Sequence, residues 1–233
     1  MTELLKTFQM IVEYYGQTGA TIILVVLIIV YSVYIINENY SSLIKKYLEN
    51  KILEKELLHE KATQYRKTVT PKIREELCKL AEEVHADRVL VFEYSNGTSN
   101  LIGLPFLYAS ATCEVLSRGT FPISQNYQKI NTSIIASFLE ELEDKGYLYI
   151  SNVEDIKHTS PILYNFLIPD KVNTILFYTL VGVNNNIGFV SVATINDNTF
   201  TREKVLPRIA FSAQKISSLL NFDEIHKNVH ENE

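Results

Sequence analysis

Tryptophan is absent from this 233-residue chain, and cysteine occurs only twice. Two cysteines exclude a disulfide scaffold and a Cys-rich zinc module. Charge of one sign is also missing: 22 Lys and Arg face 27 Asp and Glu, a net charge of −5. That balance argues against nucleic-acid binding, which draws on a clear basic excess. There is no Walker loop, GxGxxG, HExxH or GxSxG. Of His59, His85, His158, His226 and His230, only His226 and His230 stand at a ligand-like i, i+4 spacing, so no metal site is expected. Nothing pairs a nucleophile with a general base, and the chain reads as non-enzymatic, with no cofactor. What is present is ordinary: 46% apolar and 21% charged residues, with aromatic content carried by 14 Tyr and 11 Phe. The length suits one globular domain plus an appendage.

The appendage is visible as an apolar run. No charged residue falls between Glu13 and Glu38, and the stretch Ala20–Ile36 is almost wholly aliphatic. A helix crosses a ~30 Å hydrocarbon core with about 20 such residues. Tyr14 and Tyr15 on one side, with Tyr31, Tyr34 and Tyr40 towards the other, suit an interfacial belt. A cleaved signal peptide is disfavoured, because a basic leader and a small-residue cleavage site are missing. The expected layout is a short tail over 1–18, a transmembrane helix over 19–37, a helical stalk over 38–70, a globular domain over 71–222 and a flexible tail over 223–233. Lys6 precedes the run and Lys45, Lys46, Lys51 and Lys55 follow it. The positive-inside rule then gives a single-pass inner or plasma membrane protein with its domain in the cytoplasm. The stalk carries an apolar stripe that includes Leu43, Tyr47, Leu53 and Leu57. It is either a plain spacer or a pairing surface for a second copy.

Thr70-Pro71 reads as an N-cap and first helical position, opening a helix with Ile73, Leu77, Leu80, Ala81 and Val84 on one face. A strand over 88–95 runs into Asn96-Gly97, a hairpin signal. Residues 104–116 alternate, with Leu107, Ala109, Ala111, Cys113 and Val115 on one side. A helix capped by Asn131 or Thr132 buries Ile134, Ile135, Phe138, Leu139 and Leu142, and Gly146 ends it. A short strand 147–151 and a short helix 161–168 follow. A hairpin 172–194 turns at Asn184–Asn186. The last helix is capped by Thr201, with Phe200 and Val205 as a hydrophobic staple and Pro207 as a kink or late start. Cys78 and Cys113 fall at core positions and read as inert buried thiols.

This order is α+β: one antiparallel sheet flanked by helices. Three pieces resemble GAF domains: Leu80–Phe92 feeding the first strand, Gly146–Val153 as a central strand, and Asn186–Ala193 with Phe200–Lys204 as closing hairpin and helix. The resemblance implies a sensory or dimerisation module for small ligands. The layout as a whole also resembles the T-even phage holin family. That implies an oligomer forming membrane lesions that time host lysis, with the domain in the periplasm. The alternatives are a membrane-anchored sensor signalling through its stalk to a partner, or a structural tether. Expected partners are the lipid bilayer, a second copy, and a regulatory protein or small ligand. The expected ligand cleft lies over the sheet, lined by Glu93, Tyr94, Phe106, Tyr108 and Tyr178; one carboxylate among aromatics suits a cationic or amine-bearing ligand. The competing reading is that Asn96-Gly97 closes a hairpin and Leu104–Phe106 packs its loop.

Overall fold

The computed structural model describes residues 2–99, 105–183, 185–195 and 200–221. The chain divides into two compact units, Met1–Lys61 and Ala62–Glu233. The first unit is helical and forms most of α1 (Thr2–Val84). The helix is interrupted at Gly16, whose φ of 72° and ψ of 168° suit a residue without a Cβ. The expected tail is therefore helical up to that glycine. From Ile22 to Ile36 the large apolar side chains other than Ile23 point outward, between 39% and 65% exposed. Ser32 turns its hydroxyl inward and donates to the Ile28 carbonyl at 2.8 Å. Among the described residues no helix is long and apolar enough to cross a membrane. Leu43, Tyr47, Leu53 and Leu57 are exposed on the single chain.

In the second unit six strands form one sheet in the order β3-β2-β1-β6-β5-β4. They are β1 (Arg88–Ser99), β2 (Pro105–Leu116), β3 (Ile130–Asn131), β4 (Tyr147–Ile150), β5 (Thr174–Val181) and β6 (Asn186–Thr194). Every pairing is antiparallel. Three further helices are α2 (Ala136–Lys145), α3 (Pro161–Leu167) and α4 (Arg202–Leu220). One face of the sheet packs against α1 and α4 through Ile73, Leu77, Leu80, Ile209 and Ile216. The other packs against α2, α3 and short 3-10 turns through Phe138, Leu142 and Leu163. Covered on both sides, the central strands β5 and β6 are buried almost throughout. This is why they read as continuous apolar runs.

Several local expectations change. Helix α1 runs straight through Pro71, so Thr70 is no N-cap; its hydroxyl donates back to the Arg66 carbonyl at 2.8 Å. The packed part of α1 starts upstream of Pro71, with Val69 buried and Tyr65 donating to the Leu219 carbonyl at 2.9 Å. Asn96-Gly97 does not turn the chain: Asn96 pairs with Leu107 and Ser99 with Pro105 across an irregular stretch of ladder. The alternation in β2 also breaks. Val91 faces Cys113 while Phe92 faces Ala111, so Thr112 is an extra, bulged residue. Ala109 and Ala111 thus join the α2/α3 face, and Cys113 and Val115 the α1/α4 face. Cys78 and Cys113 are half-buried free thiols. Asn131 does cap, accepting from the Ser133 amide at 3.0 Å, but it caps a 3-10 turn ahead of α2, and Ile134 is exposed. Thr201 caps α4 through its backbone, accepting from the Val205 amide at 3.1 Å, and α4 starts on time despite Pro207. Phe200 and Val205 are buried, as a staple requires.

Candidate ligand cavity

The five residues expected to share a cleft do not meet. Alternation along β1 puts Glu93 on the α1/α4 face with Val89 and Val91, and Tyr94 on the opposite face with Leu90 and Phe92. The Glu93 carboxylate is taken: Arg66 of α1 donates to both its oxygens, at 3.0 and 2.5 Å, and the bulged Thr112 donates to one of them. Tyr108 stands opposite Ser95, and therefore on the Glu93 side of the sheet. Tyr178 lies on that side too, but in β5, where it pairs with Tyr147 and Val190. Tyr94 leans on Phe189 at 6.2 Å, and burial, with Glu143 nearby, pushes its phenol pKa well up. The side chain of Phe106 lies outside the described residues, as do His226 and His230.

What the fold builds instead is a cavity of about 50 Å³ on the α2/α3 face. The sheet supplies Leu90 and Phe92 from β1, Ile175 and Phe177 from β5, and Phe189, Ser191 and Ala193 from β6. Phe138 of α2 and Leu163 of α3 close it from above. The rings interlock, with Phe92 stacked on Phe189 at 4.5 Å and Phe138 edge-on to Phe177 at 4.8 Å. Ala109 and Ala111 beside Tyr94 and Phe92 leave room for these rings.

Four polar residues interrupt the apolar wall: Arg88, Tyr127, Asp170 and Ser191. Arg88 is positioned by its neighbour. The Asp87 carboxylate accepts from the Ser117 hydroxyl at 3.0 Å and the Ile195 amide at 2.7 Å, pinning the start of β1. Arg88 itself is only 4% exposed. Its Nη2 donates to the Phe121 carbonyl at 3.1 Å. Its Nε lies 3.6 Å from Glu114 Oε1, an ion pair too long to be a hydrogen bond. Nη1 has no hydrogen-bond partner among the described residues. Glu114 is held instead by the Ile123 amide at 3.0 Å and the Ser124 amide at 3.1 Å. Tyr127 donates to the Phe166 carbonyl at 2.7 Å or to the Asp170 carboxylate. Burial first, and then Asp170, push its phenol pKa far up, so it stays a neutral donor. Among the described residues no group of His, Cys, Asp or Glu forms a metal cluster.

Sequence reasoning passed over Arg88 and Tyr127. A charged residue directly heading the apolar run Val89–Phe92 was the available signal for Arg88. Tyr127 sits in a 3-10 turn with no periodicity to mark it.

No protein-family model matches this sequence, and no curated protein does either. Solved structures do match. A GAF domain (GAF3) of Slr1393 from Synechocystis, in its photoproduct state, superposes with a TM-score of 0.54 at 12% identity, covering 69% of this chain and 98% of that one. The blue-light absorbing form of the PixJ GAF domain from Thermosynechococcus elongatus gives a TM-score of 0.55 at 14% identity, over 72% and 96%. A cyanobacteriochrome receptor PixJ structure gives 0.52 at 16% identity, over 68% and 98%. At these identities the likeness shows the fold: the second unit is GAF-like.

Proposed function

We propose that this chain is a non-enzymatic sensor in which the GAF-like unit binds a small ligand and α1 anchors it to a bilayer. The observation that carries the ligand reading is the aromatic cavity between the sheet and α2 and α3, walled by Phe92, Phe138, Phe177 and Phe189. Such a concave, mostly apolar site with few polar groups is the usual form of a small-molecule pocket. The light-absorbing neighbours do not extend to a chromophore here. A cavity of about 50 Å³ is a third of one that holds benzene, at ~150 Å³, so a multi-ring conjugated ligand does not fit this conformation. Anchoring is supported by the outward apolar side chains of Ile22–Ile36 and by the absence of charge from Glu13 to Glu38. The lysines after the run support a cytoplasmic GAF-like unit by the positive-inside rule, and the exposed stalk residues fit pairing with a second copy. A holin-type role rests on layout alone and has no observation of its own.

Alkaline extraction of membranes from cells expressing the full chain tests the anchor. The protein stays in the pellet, and Leu27→Lys with Val30→Lys releases it. Release of the unaltered chain refutes anchoring, and abrupt lysis on expression would point to the holin-type role instead.

A further inference from the structure

We propose that the cavity takes a small uncharged apolar molecule, a diatomic gas in the size class of dioxygen. This deepens the ligand reading of the cavity and rests on it. The wall excludes charge. Arg88 Nε and Nη1 have no hydrogen-bond partner among the described residues, but each exposes less than 1 Å², so they lie behind the wall and do not open into the space. Tyr127 directs its hydroxyl at the Phe166 carbonyl and the Asp170 carboxylate. Glu93, the centre of the expected cationic site, is on the other face of the sheet. The wall excludes water as well. A buried water needs roughly two to four polar partners. With Arg88 closed off and Tyr127 and Asp170 bonded to each other, the Ser191 hydroxyl is the polar group that remains. An apolar cavity of this kind stays dry.

Size narrows the class further. The volume of about 50 Å³ is a few water-sized volumes at ~10–15 Å³ each, room for two or three heavy atoms. Benzene, which takes ~150 Å³, is too large. The rings that bound the space hold one another in place. Phe92 stacks on Phe189 at 4.5 Å, and Phe138 stands edge-on to Phe177 at 4.8 Å and to Phe189 at 5.7 Å. A void left between such rings forfeits dispersion contacts on every side, and a two-atom apolar guest restores them. Ile130 and Phe166 are the half-buried apolar members of the wall, and a guest enters past them.

The test uses the full chain in detergent micelles with labelled methyl groups, read by NMR. The probes are xenon and dioxygen, with benzene as the oversized comparison. Leu90, Leu163 and Ile175 report on the cavity. Leu77 and Ile209, fully buried in the α1/α4 core, are the controls. Xenon is expected to shift the cavity methyls at least fivefold more than the controls, saturating with pressure. Paramagnetic broadening by dissolved dioxygen should show the same contrast. Ala193→Val fills the space from β6 and should reduce both effects at least fivefold. If that variant does not fold, the contrast between the two cores of the unaltered protein decides alone. Equal effects on the cavity and control methyls overturn the gas site. Benzene binding at least tenfold more tightly than xenon means that the cavity opens to a larger ligand; that overturns the size assignment and leaves the ligand reading standing. No response of the cavity methyls to any of the three probes removes both.

Discussion

Arg66 and Glu93 join α1 to β1 by two parallel hydrogen bonds, and Thr112 adds a third from the bulge in β2. Both side chains keep contact with water, at 37% and 24% exposure, so the pair is a surface clamp and not a buried charge. Its stabilisation is correspondingly small. Glu93→Gln is expected to lower the unfolding free energy by about 1 kcal/mol, measured by urea denaturation. A loss of ligand binding without a loss of stability would return Glu93 to the ligand site. Glu76 is the stronger constraint nearby. It is 9% exposed and accepts from Ser212 at 2.9 Å and Lys215 at 3.3 Å, tying α1 to α4.

Between elements, β6 approaches the backbone of β1 closely at Gly188. A Cβ placed on Gly188 would sit 1.9 Å from the Phe92 carbonyl oxygen, a backbone atom that cannot swing aside. Gly146 is the contrasting case. It ends α2 in a left-handed conformation at φ 75°, but a Cβ there meets open space. Gly188→Ala should therefore cost about 3 kcal/mol or more, the upper end of overpacking. Gly146→Ala should cost about 1–2 kcal/mol, the left-handed backbone penalty alone. Denaturation midpoints of the two variants check the ordering; equal losses would mean that the strands separate readily at Gly188. The bulge at Thr112 acts at this level too, since one extra residue exchanges the faces on which the two ends of β2 are buried.

At the level of the whole chain, the apolar surface left exposed is concentrated in the first unit. The segment of α1 from Tyr40 to Leu58 exposes eight large hydrophobic positions besides Tyr40, among them Leu43, Tyr47, Leu53 and Leu57. The stripe is interleaved with Lys45, Lys46, Lys51 and Lys55, so water can reach it but does not favour it. If the stalk pairs with a second copy, this stripe is the surface that would be covered. A fragment from residue 38 onward should dimerise in sedimentation equilibrium, and one from Ala62 onward should associate at least tenfold more weakly. Equal association of the two would place the contact on the GAF-like unit, with α1 beyond Ala62 and α4 as the available faces.

Apart from the two-residue β3 and the start of α1, the order of elements, the α+β class, the end of α2 at Gly146 and the staple of Phe200 with Val205 were legible in the sequence. These depend on neighbours a few residues apart, where spacing and residue type act directly. The likeness to GAF domains was legible for the same reason, as a succession of local patterns. The cavity was not. It needs Arg88, Tyr127 and Asp170 brought to one wall from separate elements, and no periodicity records that. The expected cleft failed for a related reason. Glu93 and Tyr94 are adjacent in the chain, but successive residues of a strand face opposite ways. Once both faces of the sheet are packed, adjacency in sequence becomes separation by the thickness of the sheet. A single bulged residue then decides which side chains of β2 share a face, and tertiary pairing of β1 with β2 is the first level at which that residue exists.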